Sequence, residues 1–292
     1  MTPTTPTKSD PENTIAFQGE LGANSHLACR VVRPDMAVLP CTTFDDAFAA
    51  VETREAHLAM IPIENSVAGR VADIHHLLPE SGLFIVAEHF QRVNHQLLAP
   101  KGASLEDLRE VHSHVHALSQ CRNFIRKQGL TPVVHVDTAG AAREVAERND
   151  VSVAAIASEL AAEIYGLDVL ASGIEDANHN TTRFIVMARE PEDPGANSGP
   201  VMTSFIFQVR NVPAALYKAM GGFATNGVNM VKLESYQLGG SFNATLFYAD
   251  IEGHPSERGV ELALEELNFY STSVRIMGTY PAAPYRREVA PP

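Results

Sequence analysis

The chain has 292 residues, with 22 Lys and Arg against 35 Asp and Glu, and its formal net charge is −13. This acidic excess repels phosphate backbones and argues against general nucleic-acid binding. Hydrophobic residues make up 45% of the chain, a composition typical of globular proteins with one large or two medium domains.

The cysteine pattern and the hydropathy favour a protein of the cytoplasm. Three cysteines, Cys29, Cys41 and Cys121, form no CxxC pair, which favours a reducing compartment and no structural zinc. The first residues contain no apolar stretch like that of a signal peptide. No window approaches about 18 uninterrupted apolar residues, so we expect no membrane-spanning segment.

Short apolar runs alternate with amphipathic stretches between residues 13 and 190. Strands are predicted at residues 14–17, 58–63, 84–87, 96–99, 133–136, 153–157 and 184–187. Helices are predicted at 43–51, capped by Thr42 or Thr43, at 139–148, and around Leu118 to Ile125 with a stop at Gly129. This alternation predicts an α/β domain with largely parallel sheets.

A Pro- and Gly-containing stretch at 191–200 is the best linker candidate, and it separates a second domain at 201–281. That segment predicts a strand at 204–209, a helix with Pro213 as its first residue, a hairpin around Gly239-Gly240, a helix at 257–269 and a strand at 274–280. The order βαββαβ is that of a ferredoxin-like sandwich.

Three polar motifs of the first domain could bind a ligand. Residues 19–25 join a strand to a helix, either as an anion site or as an ordinary turn. Glu64, Asn65 and Ser66 follow a buried strand, where α/β sheets bind ligands, although they could simply cap a helix. Residues 178–184 bring amide, hydroxyl and guanidinium donors together, either as a carboxylate receptor or as a turn with one exposed Arg.

Two further motifs are less specific. His112, His114 and His116 lie in alternation on a predicted strand, but no full metal-ligand set accompanies them, so we favour polar and helix-capping histidines over a metal site. The strand-to-helix junction at 211–216, with Lys232–Tyr236 on the next strand, could bind the carboxylate of an amino acid. A plain dimerisation domain fits that pattern equally well.

Together the motifs resemble those of prephenate dehydratase, from about Thr14 to Tyr280. The segments that carry the resemblance, in the order of the family, are Ala16-Phe-Gln-Gly19, Gly22, Ser25, Pro62-Ile-Glu-Asn-Ser66, Gly69, Ser113-His114, Ala117-Leu118, Gln120-Cys121, Asn180 and Thr182-Arg-Phe184. The second segment resembles an ACT domain, the module that senses an amino acid. Here Ala214 stands where the family often has Gly, and His116 replaces a usual Gln.

The resemblance implies a catalytic domain at 13–190 with two α/β subdomains around a cleft, similar to a type 2 periplasmic binding protein, and an ACT regulatory domain at 201–281. It implies conversion of prephenate to phenylpyruvate, CO2 and water without metal or organic cofactor, feedback inhibition by L-phenylalanine, and a homodimer or homotetramer. The implied catalytic residues are Thr182, as donor to the departing hydroxyl, and Arg183, as carboxylate ligand. The implied substrate-binding residues are Ser25, Glu64, Asn65, Ser66, Asn180, Phe184 and His114.

The implied effector-binding residues are Asn211, Pro213, Ala214, Ala215, Leu216, Asn229, Met230, Glu234 and Ser235. Three alternatives stay open. An arogenate dehydratase would perform the same chemistry on a substrate with an ammonium in place of the keto group. A non-catalytic sensing protein could share the architecture. A metal enzyme could use the three histidines.

Overall fold

The computed structural model describes residues 10–71, 73–177, 179–237 and 244–288, so the predicted turn at Gly239-Gly240 lies outside the described residues. The strands are Thr14–Gln18 (β1), Ala37–Cys41 (β2), Leu58–Asn65 (β3), Gly69–Arg70 (β4), Phe84–Arg92 (β5), Gln96–Ala99 (β6), Glu110–His114 (β7), Thr131–His135 (β8), Val153–Ala157 (β9), Asp168–Ser172 (β10), Thr181–Ala188 (β11), Val201–Val209 (β12), Met230–Gln237 (β13), Ala244–Glu252 (β14) and Ser271–Pro281 (β15).

The helices follow the predicted alternation. They are Asn24–Val32 (α1), Phe44–Glu52 (α2), Ile74–Leu77 (α3), Val115–Gln120 (α4), Arg122–Gln128 (α5), Thr138–Arg148 (α6), Glu159–Tyr165 (α7), Ala215–Thr225 (α8), Arg258–Tyr270 (α9) and Tyr285–Glu288 (α10), with a short 3-10 turn at Pro11–Asn13. Within the ranges that the structure covers, no helix is long and apolar enough to cross a membrane.

Local sequence signals set several of these boundaries. Thr43 caps α2, since its hydroxyl accepts a bond from the Asp46 amide at 3.1 Å and the Asp46 carboxylate accepts one from the Thr43 amide at 3.0 Å. Gly129 ends α5 in the left-handed conformation, with φ of 67°. These two predicted helix ends are confirmed.

Two α/β lobes are built on separate sheets, which confirms the predicted fold class. The first sheet has the order β2-β1-β3-β11-β5, with β4 paired to β3, and the second has the order β10-β6-β9-β7-β8. β1 is parallel to β2 and β3, and β7 is parallel to β8 and β9, whereas β6 is antiparallel to β9 and β10. The second sheet is therefore mixed. The chain enters the second lobe after β5 and returns in β11.

The third sheet has the order β13-β14-β12-β15 and confirms the predicted βαββαβ arrangement. Its core packs apolar side chains of α8 and α9, which include Phe223, Val260 and Leu267, against those of β12 and β14, which include Phe205, Phe207 and Phe247. One predicted boundary is wrong. Pro213 lies before the helix, which begins at Ala215, because Ala214 takes the left-handed conformation with φ of 61° and interrupts the helical backbone.

Two compact units divide the described residues. One contains the residues up to Ile74 together with His89–Phe184, and the other contains His75–Glu88 together with the residues from Ile185 onward. The second unit thus includes a segment that the predicted boundary at 190 assigns to the catalytic domain. The Arg275 guanidinium holds this segment by donating to the carbonyls of Pro79 at 3.0 Å and Leu83 at 3.3 Å.

The same unit contains a buried ion pair near the end of the described chain. The Glu88 side chain has no exposed surface, and Arg286 donates to its two carboxylate oxygens at 2.6 and 2.8 Å. The Ala283 amide donates to the same carboxylate at 3.0 Å. A buried carboxylate with these donors holds the turn before α10 against β5.

We predict that Arg286→Met lowers the free energy of unfolding by about 3 to 5 kcal/mol, because it removes a positive charge and two hydrogen bonds from a buried carboxylate. Arg287→Met is the matched control, since Arg287 is exposed and should change stability by less than about 0.5 kcal/mol. The measurement is urea unfolding of the full chain. Equal stability of the two variants would contradict the assignment.

Candidate active site

A cavity of about 590 Å³, called the cleft below, lies within the first unit and is lined by residues of both lobes. Its walls come from the turn after β1, the turn between β3 and β4, the end of β7 and the turn after β8. The lining residues include Gln18, Gly19, Asn24, Ser25, Asn65, Arg70, Asp73, His114, His116, Asp137 and Thr138. The cavity therefore lies beyond the C-terminal ends of β1, β3, β7 and β8, the usual place for ligands in α/β sheets.

The loop between β1 and α1 is fixed by backbone contacts. Gly22 has φ of 92°, a conformation that favours glycine. Its amide donates to His26 Nδ1 at 3.0 Å, and its carbonyl accepts from the Ser158 hydroxyl at 2.5 Å. The Tyr165 hydroxyl donates to the carbonyl of Leu21 at 2.7 Å. Burial lowers the pKa of His26, which favours the neutral ring that this acceptor role requires.

An ion pair joins the same loop to the second lobe. Arg143 on α6 donates to the two carboxylate oxygens of Glu20 at 2.7 and 3.0 Å. The hydrogen bond from Arg143 is the main reason that the pKa of Glu20 is lowered. The loop that carries Ser25 is thus held by both lobes.

The amide of Asn65 has a defined orientation at the end of β3. Its Oδ1 accepts from the backbone amides of Val67 at 2.9 Å and Ala68 at 2.8 Å. Its Nδ2 must then be the group that faces β11, where it donates to Asn180 Oδ1 at 2.8 Å and to Thr182 Oγ1 at 2.9 Å. Because two backbone donors fix the oxygen, the alternative amide orientation would place donor against donor.

The polarity of this network determines what Thr182 can do. Its hydroxyl accepts from Asn65, and this is the one hydrogen bond that the structure gives that hydroxyl among the described residues. A hydroxyl that accepts one bond keeps its proton to donate elsewhere. Thr182 is partly exposed, and Asn65, which contacts it, lines the cleft.

Ser66 fastens the turn after β3 to the start of β11. Its hydroxyl donates to the carbonyl of His179 at 2.6 Å and accepts from the amide of Thr181 at 2.9 Å. Its own amide donates to the carbonyl of Thr181 at 2.9 Å. The role of Ser66 in this structure is to hold the strand that carries Thr182.

Arg183 and Phe184 are buried rather than exposed to the cleft. Arg183 is 2% exposed and donates to Glu64 Oε1 at 3.0 Å, and Phe184 is 1% exposed. Successive side chains of a strand point to opposite faces, so the face that presents Thr182 turns Arg183 away. The Asn65 amide bonds Asn180 and Thr182, and Ser66 bonds the neighbouring residues His179 and Thr181. Ser25 and His114 line the cleft.

The three histidines occupy different environments. His114 caps α4, since its Nδ1 accepts from the amide of His116 at 3.3 Å. Burial, followed by the neighbouring His116, lowers the pKa of His114. His112 is 5% exposed and lies 3.2 Å from a carboxylate oxygen of Glu110. No group of three or more His, Cys, Asp or Glu within the described ranges is arranged to hold a metal ion.

Sequence reasoning missed several residues of this site. Arg70 on β4 is the one permanently charged cation among the described residues that line the cleft. Asp73 and Asp137 also line it. Nothing in the local pattern separates Arg70 from an ordinary surface arginine. Its pairing on β4 opposite Glu64 of β3 becomes visible only in the folded sheet.

This chain is similar to known proteins over most of its length. The prephenate dehydratase family model matches residues 15–192. A relative from Komagataeibacter europaeus, named bifunctional N-acyl-homoserine lactone acylase/prephenate dehydratase, is 53% identical over 95% of this chain and 99% of its own. Arogenate dehydratase/prephenate dehydratase 2 of Arabidopsis thaliana is 41% identical over 91% of this chain and 72% of its own. A prephenate dehydratase from Arthrobacter aurescens, solved in complex with L-Phe, is 32% identical over 92% of this chain and 90% of its own, with a TM-score of 0.85.

We predict that Gly22→Ala destabilises the protein more than Gly102→Ala does. Both glycines have positive φ, so both variants pay about 1 to 2 kcal/mol for the left-handed backbone. A Cβ at Gly22 would meet the backbone of Ala161 at 2.8 Å, whereas one at Gly102 meets nothing within 4 Å. Overpacking should add about 1 to 3 kcal/mol at Gly22.

The measurement is thermal unfolding of both variants beside the wild type. The expected difference between them isolates the contact of the β1–α1 loop with α7. Equal losses of stability would mean that this loop is not pressed against the second lobe.

Proposed function

We propose that this chain, which belongs to the prephenate dehydratase family, converts prephenate to phenylpyruvate, CO2 and water. The observation that carries the proposal is the hydrogen-bond polarity at Thr182. The hydroxyl accepts from Asn65 and retains its own proton. A hydrogen-bond donor is what the departing hydroxyl of the substrate requires.

The reaction is a decarboxylative elimination. The electrons of the bond between the ring and its carboxylate enter the ring as CO2 leaves, and the C4–oxygen bond breaks as the ring becomes aromatic. The departing hydroxide takes up a proton and leaves as water. Thr182 donates a hydrogen bond to that oxygen. Because an alcohol is a weak acid, we assign the proton itself to a water relay in the cleft.

Binding a dianion in a chain of net charge −13 requires a local group of donors. We assign the direct carboxylate contact to Arg70, which lines the cleft. The first turn of the nine-residue helix α1, with Ser25, supplies backbone donors at the other wall. For Arg183 we propose an indirect role in place of direct binding. Its buried pairing with Glu64 ties β11 to β3 and so holds Thr182 beside Asn65.

Arogenate is the alternative substrate, and the name of the Arabidopsis relative includes it. Its ammonium would need an acidic partner in the cleft, and Asp73 and Asp137 are available there. Turnover of prephenate and arogenate side by side distinguishes the two, because the product is phenylpyruvate in one case and phenylalanine in the other.

A second candidate activity is hydrolysis of an N-acyl-homoserine lactone, which the name of the Komagataeibacter relative includes. A cavity of about 690 Å³ adjoins the cleft, with Gln18, Gly19, Val136 and Asp137 common to both. Leu21 and Pro40 also line it and could contact an acyl chain. Release of free homoserine lactone from an acylated substrate by the purified chain is the test.

The βαββαβ unit is proposed to bind L-phenylalanine as a feedback inhibitor. The junction at 211–216 and the residues Asn229 and Met230 lie at opposite ends of α8, an 11-residue helix that spans about 16 Å. One ligand cannot bridge that distance within a chain. We therefore place L-phenylalanine between the βαββαβ units of two chains in a homodimer or homotetramer, with Glu234 and Ser235 on the adjoining strand β13.

We predict that Asn65→Asp reduces kcat for phenylpyruvate formation by roughly 10²- to 10³-fold, the scale of one lost transition-state donor. Aspartate keeps the acceptor for Val67 and Ala68 but has no Nδ2 hydrogen. The Thr182 hydroxyl then donates to the carboxylate, and its proton is no longer available to the substrate. Steady-state kinetics with prephenate is the measurement.

Asn94→Asp is the control for the added negative charge, since Asn94 is exposed and belongs to the same unit. It should keep kcat near the wild-type value. A similar kcat for both variants would show that the orientation of the Asn65 amide is not needed for catalysis.

We also predict that L-phenylalanine inhibits the wild-type chain and that Asn211→Ala raises the half-inhibitory concentration. Effector coupling is ordinarily 1–3 kcal/mol, or roughly 5- to 150-fold, so a shift of at least about 5-fold is expected. Asn268→Ala, an exposed substitution on α9 of the same unit, should leave inhibition unchanged. Identical inhibition curves for all three proteins would contradict the assigned effector site.

A further inference from the structure

The hydrogen-bonded chain that begins at Asn65 continues into the second lobe. Asn180 is 2% exposed, and its Nδ2 donates to Gln120 Oε1 at 2.9 Å. The same oxygen lies 2.8 Å from Nε2 of His95, which is 3% exposed. Gln120 ends helix α4, and His95 directly precedes β6.

Every donor and acceptor in this chain follows from the first one. Asn65 Nδ2 donates, so Asn180 must present its oxygen to Asn65 and its amide nitrogen to Gln120. Gln120 must then present its oxygen, which can only accept, and His95 must carry its hydrogen on Nε2. A flip of any single amide would place two donors or two acceptors in contact.

His95 and Gln120, the last two residues of this hydrogen-bonded series, are held by backbone hydrogen bonds. The amide of His95 donates to Glu175 Oε2 at 2.9 Å, and the carbonyl of His95 accepts from Ile174 at 3.1 Å. The carbonyl of Gln120 accepts from the amide of Asp176 at 2.6 Å. These contacts lie at the two places where the polypeptide crosses from one lobe to the other, before β6 and before β11. Burial lowers the pKa of His95, which favours the neutral ring.

We propose that Gln120 and His95 are positioning residues that hold the Asn180 oxygen toward Asn65 Nδ2. Asn65, whose own oxygen the turn fixes, then stays bonded to Thr182 in the way that leaves the Thr182 proton available to the substrate. The inference rests on the proposed dehydratase function and goes beyond it. Neither residue lines the cleft among the described residues. They act through Asn180, which is bonded to Gln120 on one side and to Asn65 on the other.

The test compares Gln120→Met with Gln120→Glu in the full chain. Methionine matches the length of glutamine but lacks the accepting oxygen, whereas glutamate keeps it. Hydrogen-bond partners of metal ligands typically contribute 10- to 100-fold, and we take the same scale for a partner of the Asn65–Thr182 pair. We therefore expect Gln120→Met to lose roughly 10- to 100-fold in kcat with prephenate. We expect little change in KM, and Gln120→Glu should retain kcat near the wild-type value.

A purely structural role would lower thermal stability in both variants without this split between kcat and KM. The proposal fails if Gln120→Met keeps the wild-type kcat, or if Gln120→Glu loses as much kcat as Gln120→Met. Failure of the proposed function is separate and would appear as absence of phenylpyruvate formation by the wild type.

The tautomer of His95 can be measured on the wild-type protein, so this second test does not depend on whether a variant folds. Nitrogen-15 NMR of the labelled protein should show His95 as the neutral tautomer with its hydrogen on Nε2. A His95 ring with the hydrogen on Nδ1 would mean that the chain does not run in the proposed direction, and it would overturn the proposal whatever the kinetics of the variants.

Discussion

The two backbone amides of Val67 and Ala68 constrain the whole site, because they fix the side-chain oxygen of Asn65. An asparagine amide is chemically ambiguous until something selects its orientation. Here the turn between β3 and β4 fixes the orientation of Asn65, and this determines which atom donates and which accepts at each later partner. The sense of the chain from Asn65 to Thr182, and from Asn65 to His95, depends on this one turn.

The two lobes meet at a site that neither could form alone. The first lobe contributes the β1–α1 loop and the Asn65 turn, to which Thr182 on β11 is hydrogen-bonded. The second lobe contributes His114 and Asp137, and its helices α6 and α7 hold the β1–α1 loop in place. An acidic protein that binds an anion must concentrate its donors. The donors that we propose for this purpose are Arg70, the first turn of α1 and the Thr182 hydroxyl, whose acceptor position is already filled.

Much of the fold was predictable because it rests on local signals. Apolar periodicity, the Thr43 cap and the Gly129 stop fix elements from a few adjacent residues. The site was predictable as a set of motifs, since Asn65, Ser66, Asn180 and Thr182 stand in short polar runs. Their hydrogen-bond directions were not, because Asn65 and Asn180 meet across 115 residues of chain.

Two differences between the sequence-based expectations and the structure have physical causes. The resemblance implies that Thr182 and Arg183 contact one ligand, whereas side chains next to each other on a strand face opposite ways, and this is why we propose an indirect role for Arg183. The start of α8 was placed at Pro213 because proline suits a first helical position, but the left-handed Ala214 intervenes. The ion pair between Glu20 and Arg143 joins residues 123 positions apart, so no local sequence pattern predicts it.

The central claim is that the Thr182 hydroxyl donates to the departing oxygen of prephenate. The most direct measurement is kcat for phenylpyruvate formation by Thr182→Val and Thr182→Ser, which differ in the hydroxyl. The account predicts that serine retains most of the activity, and that valine loses roughly 10²- to 10³-fold in kcat with a smaller change in KM. A valine variant with wild-type kcat would contradict it.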